Sequence, residues 1–261
     1  MNLPVFVNNK LKQLEKHRFL FEELVRRDFK QKYKRTILGM GWSILSPLLT
    51  LLVMKLVFTY FFGRTIAHYT TYLFCGNLLF SYFMESTNGG MNSLLGNASI
   101  FTKVNVPKYL FLFSKNVSSF INFMLVMVVF FFFTYFDGIS FTLRFFMLLF
   151  PVCCMVVFNL GVGMILSAMY VFFRDIKYLY NVFSRLLMYC SAIFYKVPAK
   201  YEVYYLFNPV YVYIKYFRMI ILENQIPSVE YHLLCIFYAI LMFGCGAWMY
   251  RHYNKRFLYY V

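Results

Sequence analysis

The strongest constraint in this chain is a succession of apolar runs long enough to cross a lipid bilayer. A helix rises about 1.5 Å per residue, so about 20 apolar residues cover a hydrocarbon layer about 30 Å thick. Such runs occupy Trp42–Phe62, Tyr72–Leu94, Leu110–Phe136, Phe145–Phe172, Tyr178–Tyr195 and Val229–Tyr250. In hydrocarbon each backbone N–H and C=O must be satisfied within the protein, so such runs become helices. The expected fold is an all-α integral membrane protein with six transmembrane helices. Composition agrees: 61% of the 261 residues are hydrophobic and 14% charged. A soluble domain of this size lacks the polar surface to cover so much apolar material, and soluble proteins carry nearer a quarter charged residues. An ordinary cytosolic enzyme, a disordered protein and a secreted disulfide scaffold are excluded. The six cysteines lie inside apolar runs without metal-type spacing and read as small core residues.

Charge gives the orientation. The chain holds 26 Lys and Arg against 10 Asp and Glu, a net +16. In a soluble protein that excess suggests nucleic acid; here basic residues flanking cytoplasmic span ends are the better reading, and no nucleic-acid partner is expected. With the N-terminus inside, 18 basic residues fall on the cytoplasmic side and six outside. Both termini are therefore expected in the cytoplasm. Residues 1–41, polar and basic, are expected to form a cytoplasmic region without a cleavable signal, and 42–261 the membrane domain.

Tyr204–Leu222 is nearly long enough to cross, but Asn208-Pro209 interrupts it and Lys215 and Arg218 occupy its second half. A charge at a span centre costs about 2.5–3.5 kcal/mol on insertion scales. The segment reads as two short helices at the outer leaflet, within a re-entrant region 197–227, with a seventh span as the alternative.

Four segments carry candidate functions. In the N-terminal region Phe21, Val25, Phe29, Tyr33 and Ile37 recur every four residues with Leu24 beside them, among six basic residues. This is a basic amphipathic helix suited to cytoplasmic headgroups, either a passive anchor or a lever joined to the first span through Gly39 and Gly41. The loop 96–109 gives a short cytoplasmic segment much apolar surface through Ile100, Phe101, Val104 and Val106, with Lys103 and Lys108 at its rim and Pro107 as a stop. It either docks another protein or packs on its own spans. Arg174-Asp175 sits in the other interior cytoplasmic loop, where simple pairing with neighbours suffices. Tyr201, Tyr204, Tyr205, Tyr211, Tyr213 and Tyr216 crowd the outer segment. They form either an interfacial aromatic belt or, since Tyr joins an apolar ring to a hydroxyl, a surface for a sliding glycan, with Tyr204, Tyr211 and Tyr216 as its contacts.

Lys55, Glu85 and Arg185 are the deepest ionisable residues, and such groups normally face protein or water. The sequence holds no GxxxxGK[ST], no HExxH and no GxSxG. No catalytic constellation or metal set emerges, and no cofactor is expected on this chain.

The order of these segments resembles the membrane subunits of type-2 ABC transporters that export polysaccharides such as O-antigen, teichoic acid and capsular glycans. RRDFKQKYKRTILGMGWSILSPLL, Arg26 to Leu49, carries the resemblance most specifically. YLFCGNLLFSYF (Tyr72 to Phe83), SIFTKVNVPKYLF (Ser99 to Phe111), FFRDIKYL (Phe172 to Leu179) and FNPVYVYIKYFR (Phe207 to Arg218) add shorter matches along nearly the whole chain. The resemblance implies a six-span permease in the bacterial cytoplasmic membrane, paired with a second copy around one path for a lipid-linked polysaccharide. It implies two separate ATPase subunits carrying ATP and Mg, docked on loop 96–109 and Arg174-Asp175, and an N-terminal gate helix. Two readings from other classes compete: a membrane enzyme acting on lipid-linked glycans, and an ion-coupled carrier. The first lacks clustered carboxylates and the second lacks internal repeats.

Overall fold

The computed structural model describes residues 18–30, 38–62, 66–103, 106–254 and 256–260, and every regular element among them is helical. Helix α1 covers residues 18–30. A 3₁₀ turn at Gly39–Gly41 leads into α2 (Trp42–Phe62), followed by α3 (Tyr69–Asn92), the short α4 (Ala98–Phe101) and α5 (Tyr109–Phe136). A 3₁₀ lead-in at Leu143–Leu148 continues into α6 (Leu149–Phe172), then come α7 (Ile176–Cys190), α8 (Glu202–Tyr205), α9 (Pro209–Ile221), α10 (Val229–Tyr253) and α11 (Phe257–Tyr260). Among the described residues α5, α6 with its lead-in and α10 are long and apolar enough to cross a membrane. Helix α2 has the bounds expected from sequence, but α3 is diluted by polar side chains. Helix α7 stops at Cys190 instead of Tyr195, because the backbone turns through Ala192 at φ 50°. Its 15 residues rise about 22 Å, less than the hydrocarbon layer.

The interruption at Asn208-Pro209 is a helix start. The Asn208 carboxamide oxygen accepts from the backbone N–H of Val210 (3.0 Å) and Tyr211 (3.3 Å), and Pro209 occupies the first helical turn, where its missing N–H costs nothing. The same side chain donates to the Ser191 hydroxyl (3.0 Å), tying α9 to the end of α7. Helix α9 does not rest on the surface: Tyr213, Ile214, Tyr216, Phe217 and Ile220 are fully buried.

Helix α6 is the centre of the bundle, packed on α3 and α10. Small residues set both contacts, as expected where lipid gives no hydrophobic drive between helices and close backbone approach supplies the attraction. A Cβ at Gly161 would sit 2.3 Å from the backbone of Met242 and Phe243, and one at Gly246 would sit 2.7 Å from the Gly161 carbonyl oxygen. A Cβ at Gly90 would lie 2.8 Å from the Gly163 Cα. The Ser167 and Tyr250 hydroxyls, 2.6 Å apart, close the α6–α10 contact.

Contacts sort the connections into two ends. At one, Leu24 of α1, Phe101 of α4, Phe111 of α5, Val171 of α6 and Tyr250 of α10 belong to a single buried cluster with Phe257. At the other, the Thr71 hydroxyl donates to Asp137 (2.6 Å), the Tyr69 hydroxyl to the Phe194 carbonyl (2.9 Å), and Arg144 to the Asn224 carbonyl. Helix α1, helix α4 and the C-terminal ends of α6 and α10 with α11 thus share one end, the distribution that the charge asymmetry favours.

Overpacking costs about 1–3 kcal/mol and more against rigid backbone. Gly161→Val is expected to lower the apparent Tm in detergent by about 5 °C or more. Gly96→Ala, whose Cβ meets nothing within 4 Å, should leave it unchanged. Fluorescence-detected thermal unfolding checks the pair.

Candidate functional site: a polar row through the bundle

Helix α3 carries Asn77, Ser81, Glu85, Asn88 and Asn92, spaced four, four, three and four. At 100° per residue these fall within about 80° of one face. The row spans 15 residues, about 22 Å, most of the thickness of the hydrocarbon layer. Ser81 and Asn92 are exposed in the single chain, and Glu85 and Asn88 half-buried. A carboxylate and several amides cannot face acyl chains at this depth without a cost of several kcal/mol, so the row faces protein, water or a polar cargo.

The neighbouring helices complement it. Ser43, Ser46 and Thr50 of α2 and Asn122 of α5 meet the row around a cavity of about 190 Å³. The Asn122 amide donates to Glu85 Oε2 at 2.7 Å. On the other flank the Tyr180 hydroxyl of α7 lies 2.5 Å from that of Thr87, so α7 runs beside the row. Tyr180 and Ser184 form the buried face of α7. The adjoining face presents Lys177, Asn181 and Arg185 at four-residue spacing, with Tyr178 and Tyr189 beside them, all exposed. The remaining face, Leu179, Val182, Phe183 and Leu186, is apolar and exposed. Lys55 is exposed on an otherwise apolar part of α2.

At the α1 end a second polar assembly ties three segments together. Asp28 is buried with its carboxylate between Arg27 (2.9 Å) and Lys115 of α5 (2.9 Å), and it also accepts from the Ser114 hydroxyl (3.2 Å). Arg27 reaches on to Asn97 Oδ1 (2.6 Å), and Asn97 donates to the Ser93 carbonyl (2.8 Å). One aspartate therefore joins α1, the segment preceding α4 and the start of α5. The buried face of α1 centres on Leu24 and Asp28, while Phe21, Val25 and Phe29 flank it half-buried. Tyr33 and Ile37 lie outside the described residues.

The loop expected to dock a partner is half absorbed by its own bundle. Phe101 and Val106 are buried, and the Phe101 ring lies 6.0 Å from that of Phe111. Ile100 and Pro107 are half-buried, Lys103 is exposed, and Val104 lies outside the described residues. Lys108 donates to the Asn254 carbonyl and, at 3.2 Å, to its side-chain oxygen; burial lowers its ammonium below the usual lysine value. The free surface here is the polar rim, not the apolar residues. Arg174 and Asp175 are exposed, with Arg174 near the Tyr260 carbonyl.

Tyr204, Tyr211 and Tyr216 do not share one surface. Tyr204 is 72% exposed, whereas Tyr211 and Tyr216 are buried. The Tyr216 hydroxyl is held 2.8 Å from His232 Nε2, and the Tyr211 ring packs 5.2 Å from that of Tyr205. Arg218, read from sequence only as an obstacle to crossing, is a buried anchor. It donates to the carbonyls of Ala192 (2.8 Å), Ile193 (3.0 Å) and Tyr72 (3.1 Å) and stacks 3.4 Å over the Tyr72 ring. Periodicity of the polar residues within an apolar span was the signal that could have disclosed the α3 row; Asp28 gave none beyond its place in the Arg26–Leu49 motif.

Long apolar helices enclosing a polar row define an all-α integral membrane protein. Residues 20–222 match the family model described as ABC-2 type transporter, and the chain belongs to that family. It is therefore a transport subunit and not an enzyme. It is 26% identical over 247 residues to a Klebsiella pneumoniae protein named O-antigen export system permease protein RfbA, covering 92% of this chain and 95% of that one. It is 26% identical over 227 residues to a Myxococcus xanthus protein of the same name, covering 84% and 86%.

Asp28→Asn keeps the shape and removes the charge that two partly exposed cations share. The expected loss is about 1–2 kcal/mol, discounted for their exposure. Hydrogen exchange of residues 18–30 should rise roughly 5- to 30-fold while that of 149–172 stays unchanged.

Proposed function

We propose that this chain is the membrane-spanning subunit of an ATP-driven exporter that moves a surface polysaccharide across the bacterial cytoplasmic membrane. The observation that carries the reading is the polar row of α3. A polymer rich in hydroxyls needs a continuous track of hydrogen-bonding groups at membrane depth, and the row supplies one. The names of the relatives support a glycan cargo.

The finer plan is six crossings with both termini cytoplasmic. The basic asymmetry and the gathering of α1, loop 96–109 and the C-terminal helices at one end support it. The permease works with a second copy of itself. Lys55 and Arg185 support this: both lie mid-helix, exposed and without an ion-pair partner among the described residues. Facing lipid they would each cost about 2.5–3.5 kcal/mol; across a shared polar path they need not. Two ATPase subunits bind ATP and Mg and dock at the cytoplasmic end, on Lys103 and the exposed Arg174 and Asp175. Asp28 transmits their movement, since it links α1 to the loop and to α5. The exported glycan is lipid-linked.

Deletion of the gene in its own host tests the reading. Surface polysaccharide should fall at least tenfold, with full-length polymer accumulating inside, and plasmid-borne protein should restore it. Normal surface polysaccharide would overturn the reading, and accumulation of truncated polymer would favour a glycan-building enzyme.

A further inference from the structure

Resting on the exporter reading, we infer that the C-terminal segment 254–260 is a clip that fixes the spacing of the two segments on which an ATPase subunit docks. Phe257 is its positioning residue.

Helix α11 is too short to hold itself. It has four residues, and a helix of about one turn is unstable in water on its own. Docking holds it instead. The chain turns back after α10 through a bond from the Arg256 N–H to the Tyr253 carbonyl (2.9 Å). The turn places Phe257 in the buried cluster at this end, where its side chain is fully covered. The Phe257 ring lies 5.4 Å from that of Tyr250 and 5.9 Å from that of Phe172.

The two ends of the segment reach different connections of the bundle. At one, the Lys108 ammonium donates to the backbone and side-chain oxygens of Asn254 and lies 5.7 Å from the centre of the Phe257 ring. Lys108 closes the connection between α3 and α5, five residues after the docking residue Lys103. At the other, the Tyr260 ring packs 5.1 Å from that of Phe172, and the Tyr260 carbonyl accepts from Arg174 at 3.5 Å. Phe172 ends α6, two residues before the docking residue Arg174. Phe101 and Val171 already join the two connections in the core. The clip joins them at the rim, beside the exposed Lys103, Arg174 and Asp175.

A partner that grips two surface segments at once gains affinity when their spacing is set beforehand, because ordering them during association costs free energy. The clip supplies that spacing. Movement passed to loop 96–109 through Asp28 then reaches the connection between α6 and α7 as well.

The test reads spacing and docking separately. In full-length protein freed of its six native cysteines, spin labels on Thr102→Cys and Lys177→Cys, both exposed positions, report the spacing by double electron–electron resonance. The permease is held in nanodiscs with unlabelled permease in excess, so that pairs within one chain are read. Phe257→Ser and Lys108→Met should each at least double the width of the distance distribution, and Phe257→Leu, which keeps an apolar side chain in the cluster, should leave it narrow. Docking is read as the affinity of the ATPase subunits that co-purify with the permease from its own host, purified and returned to permease in nanodiscs. Phe257→Ser and Lys108→Met should weaken it at least tenfold, and Phe257→Leu less than threefold, while hydrogen exchange of residues 149–172 stays unchanged. Lys108 lies outside the buried cluster, so Lys108→Met decides the matter even where Phe257→Ser loosens α6. An unchanged width or an unchanged affinity in Lys108→Met, or a loss in Phe257→Leu equal to that in Phe257→Ser, would overturn the clip and leave the exporter reading standing. Failure of any ATPase to co-purify with the unaltered permease would defeat the exporter reading, and the clip's role with it.

Discussion

A carboxylate, three amides and a hydroxyl on one face of a membrane helix are tolerable only if something other than lipid covers them. The rest of the bundle follows from that requirement. Helix α3 is held on its far side by α6 through the Gly90–Gly163 contact, and α6 is held in turn by α10 through Gly161 and Gly246. This tight apolar half gives α3 a rigid back. Its polar face then looks toward α2, with α7 along its flank, and both of these helices keep long exposed stretches in the single chain.

Two polar anchors bound this arrangement. Arg218 gathers the chain reversal after α7 and the start of α3 by bonding the carbonyls of Ala192 and Ile193, which no helix satisfies, together with that of Tyr72. Asp28 gathers α1, loop 96–109 and α5 at the opposite end. Each buries charge, and each is stabilised by several hydrogen bonds instead of a single opposite charge, the condition under which burial is tolerable. Between them lies the row, so both anchors border the proposed path without contributing to it.

Much of the fold was legible in the sequence because length and hydropathy directly encode the spans. Trp42–Phe62 was read to the residue, and the Asn208-Pro209 break carried its mechanism in the residue types. The site was less legible. Phe101 looks the same in sequence whether it faces a partner or Phe111, because a short apolar segment has no period to fix its burial. Tyr211 and Tyr216 suggested an interfacial surface, yet α9 is a core helix, and Tyr serves there because its hydroxyl reaches a partner such as His232. The α3 row was present all along as a four-residue period of Asn, Ser and Glu. It stays hidden when a span is judged by its mean hydropathy, because a mean does not tell on which face the nine Asn, Ser, Thr and Glu residues among 24 lie.

The central claim is that the α3 row lines a hydrated path for the cargo. Single-cysteine scanning from residue 77 to residue 92, in protein freed of its six native cysteines, tests it most directly, using a small membrane-impermeant thiol reagent on the assembled exporter. The account predicts labelling at positions 77, 81, 85, 88 and 92, with slower labelling while polysaccharide is being exported, and none at 79, 83, 87 and 90 on the packed face. Uniform labelling, or a labelled face centred on 83 and 87, would contradict it.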